Sequence, residues 1–125
     1  MRLLRQAMTQ DEVRLIIVKD ENKEWISRAD AVKEISDQKI LENLTLDTDL
    51  KLPWYIRYEA VKKITNQEIL KKIATGESEY LIRIITFQQL TDFETLKKLA
   101  YEAKSKNDMV NLTQILKRLS KLNYI

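Results

Sequence analysis

Part of this chain repeats itself. Trp25-Ile26-Ser27-Arg28, Ala31-Val32, Ile35-Ser36-Asp37-Gln38 and Leu41 return 29 residues later as Trp54-Tyr55-Ile56-Arg57, Ala60-Val61, Ile64-Thr65-Asn66-Gln67 and Leu70. A weaker copy follows 26 residues on, as Tyr80, Arg83, Phe87, Leu90-Thr91-Asp92-Phe93 and Leu96. Chance does not place a dozen matching positions at fixed offset. A period of 26 to 29 residues suits one supersecondary unit, too small to hide its apolar face alone and therefore stacked on its neighbours.

The units are helical. Apolar residues recur at spacings of three and four, as in Trp25, Ala29, Val32 and Ile35, or Ile69, Leu70, Ile73 and Ala74. The chain has one Gly, one Pro and no Asn-Gly, Asp-Gly or Gly-Gly pair, so hairpin signals are missing. Thr9-Gln10-Asp11-Glu12, Thr65-Asn66-Gln67-Glu68 and Thr91-Asp92-Phe93-Glu94 have the form of capping boxes, and Ser36-Asp37-Gln38-Lys39 keeps the cap without the glutamate. With threonine or serine as N-cap, helices are predicted over 2–8, 10–19, 22–35, 37–45, 53–64, 66–75, 78–90, 92–105 and 108–122. Pro53 is expected at the first position of its helix and Gly76 as a C-terminal glycine cap. Thr45 to Leu52 is the one long connection.

The pattern R-x-x-A-V-x-x-I-[ST]-[DN]-Q-x-x-L, with an aromatic residue three before the arginine, resembles HEAT-like repeats, especially the short bacterial kind. That resemblance implies an all-α, right-handed α-solenoid of about four two-helix units, roughly 1–19, 22–45, 53–75 and 78–105, in a single domain over 1–125. The first unit lacks the tryptophan and the arginine. The last segment, 108–122, breaks the repeat and is read as a helix capping the open face of the stack, through a stripe of Met109, Leu112, Leu116 and Leu119 with Ile115 and Leu122 beside it.

Much chemistry is excluded by composition. Without Cys or His there is no disulfide, thiol nucleophile, histidine base or Cys/His zinc site. A single Gly leaves no phosphate-cradling loop. Asp47 and Asp49 lack the glycine and closing glutamate of a calcium loop, and pairs such as Asp11-Glu12 have no partner base or nucleophile. No metal, cofactor, small-molecule ligand or catalytic residue is therefore expected. The longest apolar run is Leu15-Ile16-Ile17-Val18, far short of the ~20 residues that cross a bilayer, and a cytoplasmic protein with no membrane partner is expected.

Two repeated features invite a functional reading. Arg28, Arg57 and Arg83 share a register, read here as an internal ladder pairing with Asp37, Asn66 or Asp92 or with helix-end carbonyls. Trp25, Trp54 and Tyr80 share another, read as packing between units in preference to platforms for bases. The candidate binding residues are Lys62, Lys63, Lys71, Lys72, Lys97 and Lys98, together with Phe93, an aromatic where earlier copies carry Gln38 and Gln67. Formal net charge is only +3. The leading expectation is a non-enzymatic scaffold that binds a protein through the solenoid face. The alternative is a nucleic-acid-binding module using the lysines.

Overall fold

The computed structural model describes residues 8–47, 51–76 and 79–125. These form eight α-helices and no strand: α1 (Gln10–Lys19), α2 (Trp25–Glu34), α3 (Gln38–Leu46), α4 (Trp54–Lys62), α5 (Gln67–Gly76), α6 (Tyr80–Gln89), α7 (Phe93–Ser105) and α8 (Met109–Lys121). The helix expected over 2–8 lies outside the described residues, as does Asp49. The chain divides into two compact units, Met1–Ile64 and Thr65–Ile125. In the first, α1 packs on α2, α3 on α4, and α2 on α4; in the second, α5 packs on α6, α7 on α8, and α6 on α8.

The repeated apolar positions are the ones buried. Val32, Val61 and Phe87 share a register, as do Ile35, Ile64 and Leu90, and Leu41, Leu70 and Leu96; all nine are at most 2% exposed. Each such side chain contributes roughly 1.5–3 kcal/mol relative to exposure. Helix α8 covers α6 and α7 with Ile115 and Leu119, while Met109 and Leu116 stay exposed, so its buried stripe is rotated from the one read off the sequence.

Two members of the arginine ladder, Arg28 and Arg57, bond helix-end carbonyls; no such bond is made by the Nε of Arg83. Arg28 Nε donates to Val18 O at 2.8 Å, at the end of α1, and Arg57 Nε donates to Thr45 O at 2.7 Å, at the end of α3. A guanidinium there satisfies an orphan carbonyl and faces the negative end of the helix dipole.

A second ladder holds the turns between paired helices. Gln38 Nε2 donates to Lys63 O at 3.2 Å. Gln67 Nε2 donates to Gln89 O at 3.2 Å, while Gln67 Oε1 accepts from Thr91 N–H at 2.9 Å. In α1 the same position is Asp11, whose Oδ2 accepts from the Ser36 and Asp37 amides at 3.0 and 2.8 Å. Arg14, paired with Asp11 at 2.8 Å, donates to Glu34 O at 3.0 Å. Each turn is thus latched from the first turn of the preceding second helix, 22 to 26 residues earlier.

This latch explains a shift in the caps. Thr9 caps α1 as expected, accepting from Glu12 N–H. Elsewhere the cap lies one residue later: Asp37 caps α3, Asp92 caps α7, and the Asn66 carboxamide accepts from Ile69 N–H at 3.1 Å. Asp and Asn cap at least as well as Ser and Thr. Ser36 and Thr91 are thereby left to donate their amides to the latches. Pro53 is likewise the N-cap of α4 and not its first residue. Gly76 is the last residue of α5 and has no positive φ. Among the described residues the left-handed positions belong to Asp47, Asn107 and Asn123. Asn107 and Asn123 end α7 and α8 in matched Schellman turns, with Asp108 N–H on Ala103 O and Tyr124 N–H on Leu119 O at 2.8 and 2.9 Å.

Candidate functional site

The largest departure from the sequence reading is the aromatic register. Trp25 and Trp54 each open a helix, and they are 61% and 56% exposed; Tyr80 is exposed as well. They are not buried between repeat units as expected, and the contact Trp25 makes with the next repeat leaves most of its surface open. A residue at the first position of a helix projects from its end, beyond the stripe that meets the neighbouring helix.

In the first unit the exposed rings gather. Helices α2 and α4 pack side by side, which sets Trp25 against Tyr55, with ring centroids 6.0 Å apart and planes at 74°. Trp54 meets Tyr55 at 6.4 Å and Tyr58, one turn further along α4, at 6.1 Å, both edge to face. Lys62, another turn on, lies 5.1 Å from the Tyr58 ring. The order Trp25, Tyr55, Trp54, Tyr58, Lys62 forms one contiguous aromatic surface ending in a cation. Such T-shaped pairs contribute ~0.5–1.5 kcal/mol each and stiffen side chains that would otherwise lose rotamer freedom on binding. Neighbouring Tyr55 and Tyr58 are the signal in the sequence that this register is richer in rings than stacking needs.

The candidate lysines are largely compensated. Lys62 pairs with Glu59 at 3.4 Å, Lys71 with Glu68 at 3.2 Å, and Lys97 with Glu94 at 3.2 Å, each one helical turn away. Lys71 also lies 3.7 Å from Asp92. The Glu68 hydrogen bond, against some desolvation, and the two carboxylates raise the Lys71 pKa above the ordinary lysine value. Two hydrogen bonds from Thr95, with Lys71 nearby, hold Asp92 below the usual carboxylate range. Lys63 donates to the Lys33 carbonyl. Lys72 and Lys98 are exposed. The glutamates expected to close capping boxes, Glu68 and Glu94, are the ones spent on Lys71 and Lys97.

Phe93 is half-buried. Its ring centroid lies 5.0 Å from that of Tyr124, and Lys97 Nζ lies 5.4 Å from the ring. The Tyr124 hydroxyl donates to Thr91 O at 2.9 Å, and Arg118 Nε donates to Leu90 O at 2.8 Å. The final turn is therefore held by Gln67 on one side and by α8 with its tail on the other. Phe93 stands where earlier copies carry the latching glutamine because its neighbour is the ring of Tyr124, and it is part of this closure more than an isolated contact point.

Among the described residues no group of three or more Asp or Glu is placed to hold a metal ion, and no helix is long and apolar enough to cross a membrane. No protein-family model, no curated protein and no solved structure matches the chain.

Proposed function

We propose that this protein is a non-enzymatic interaction module, built as a right-handed α-solenoid of about four HEAT-like units, that binds a protein partner through the aromatic surface of its first helices. The observation that carries the reading is the aromatic cluster of exposed Trp25 and Trp54 on half-buried Tyr55 and Tyr58. Tryptophan and tyrosine dominate the energetics of protein interfaces because they bury much area for few rotatable bonds. The recurrence of the arginine and glutamine bonds in register with the sequence repeat supports the stacked-unit architecture. The compensated lysines speak against a phosphate-binding face, since each paired cation has already given up much of its field.

The test is affinity capture from the native cell with wild-type protein and with Trp25→Ala/Trp54→Ala in parallel. Substitution of exposed rings leaves the circular dichroism melt within a few degrees of wild type, whereas a core tryptophan costs about 3–5 kcal/mol. A partner retained by wild type and depleted at least tenfold on the folded double variant supports the reading. An unchanged set of captured proteins sinks it.

A further inference from the structure

We infer that the first unit carries a binding groove for a small amphiphilic monoanion, a carboxylate with an apolar body, with Arg28 as its charge-recognising residue. The groove is about 500 Å³, within the range of ordinary ligand sites. Leu15, Ile40, Leu44, Leu46 and Leu52 supply apolar wall.

Arg28 also lines the groove and is only 6% exposed. Its Nε donates to Val18 O, and no other hydrogen bond or ion pair to its guanidinium occurs among the described residues. The two Nη nitrogens therefore keep their donors for whatever enters the groove. Most of the Arg28 side chain is withdrawn from water, and a carboxylate entering the groove meets the Nη donors that remain accessible there. The carbonyl bond alone does not account for this burial: Arg57 makes the same bond in the next copy while more exposed. The fork geometry of guanidinium matches a carboxylate.

The other charged groups lining the groove are Lys19, Lys51, Glu21 and Asp47. Among the described residues, three cations face two carboxylates at the groove. Asp47 is further occupied, since its Oδ2 accepts from Leu52 N–H at 2.7 Å. A single guanidinium with open donors over an apolar wall suits a monoanion with a hydrocarbon body over a polyanion such as a nucleotide.

The probe is sodium octanoate, titrated into the 15N-labelled protein and followed by amide and Arg28 Nε–H shifts. Octanol and octylammonium chloride are run in parallel. The expected result is saturable binding of octanoate, with shifts confined to residues around Leu15, Arg28, Leu44 and Leu52. Octanol and octylammonium then bind at least tenfold more weakly. Arg28→Gln abolishes the octanoate response; because Arg28 also caps α1, Lys19→Glu/Lys51→Glu is the companion variant, with both side chains at the groove and the Arg28 bond untouched. That variant weakens octanoate at least threefold. Equal binding of octanol, a non-saturating response, or octanoate binding unchanged in both variants overturns the proposal. So does preference for a tetrapeptide ending in a free leucine carboxylate with no response to octanoate, which assigns the groove to protein chain ends.

Discussion

Gln67 shows how one side chain joins elements distant in sequence. Its amide donates to Gln89 O and accepts from Thr91 N–H, so both ends of a primary carboxamide are used at once. Gln67→Ala removes both of these and a local bond from Nε2 to Thr65 O at 3.2 Å, and is expected to lower unfolding free energy by about 1–2 kcal/mol in urea denaturation. Gln67→Glu keeps an acceptor for Thr91 but sets a carboxylate against the Gln89 carbonyl, so it is expected to be no better than alanine at pH 7. If both variants melt with wild type, the latch is ornamental. Asn123 is a second position where one residue decides local geometry. Its φ of 63° is tolerated by Asn and Gly and resisted by branched side chains. Asn123→Gly is expected to change stability by only a few tenths of a kcal/mol, whereas Asn123→Val costs about 1–2 kcal/mol and separates the Phe93 and Tyr124 rings, visible as loss of ring-current shifts.

Helix α1 reaches the α2–α3 turn through a carboxylate where later copies use an amide, and this makes that junction acid-sensitive. Burial disfavours the charged form of Asp11, but hydrogen bonds from the Asp37 and Ser36 amides, with Arg14 beside it, outweigh burial and hold its pKa below the ordinary aspartate value. A depressed folded pKa means the stabilisation is fully present above the unfolded value and is lost as pH falls through the folded one. Stability is therefore expected to decline below about pH 4, and Asp11→Asn to flatten that decline while leaving the Gln38 and Gln67 latches as they are. Hydrogen exchange of the α2–α3 turn amides at pH 3 and pH 6 checks this; equal acid sensitivity in the variant removes Asp11 from the account. The same contrast marks what the sequence shows of such elements. Periodicity at three and four places every described helix to within three residues, because burial of one stripe follows from the chain itself. Cap identity at Ser36–Asp37, Thr65–Asn66 and Thr91–Asp92 is not decided locally, since either residue of each pair caps well. At the first and third of these pairs the partner that takes up the preceding amide lies 25 and 24 residues away. The exposed site escaped for a related reason: a conserved register in a repeat is equally the mark of stacking and of a row of surface rings. Only the packing of α2 on α4 distinguishes them, by showing Trp25 on Tyr55 with most of its surface still open.

Across the molecule, charge is abundant and mostly answered locally. Twenty-two basic side chains meet nineteen acidic ones, and the repeated Glu-x-x-Lys spacing turns three of the six candidate lysines into intrahelical pairs. Such pairs contribute only a few tenths of a kcal/mol to helix stability, but they halve the field that a polyanion meets. A phosphate-binding face using all six lysines would show log Kobs falling with log salt at a slope of about −5. With three of the six paired to glutamate, retention of a 30-base-pair duplex is expected to be undetectable above 100 mM salt and weak at 25 mM, with a slope shallower than about −3. Charge-reversing the partners tests the cause directly: Glu59→Lys, Glu68→Lys and Glu94→Lys together raise the net charge by six and are expected to create salt-sensitive duplex binding that wild type lacks. Strong, steeply salt-dependent binding by wild type at 100 mM would instead make the lysines the functional face and displace the aromatic surface from that role.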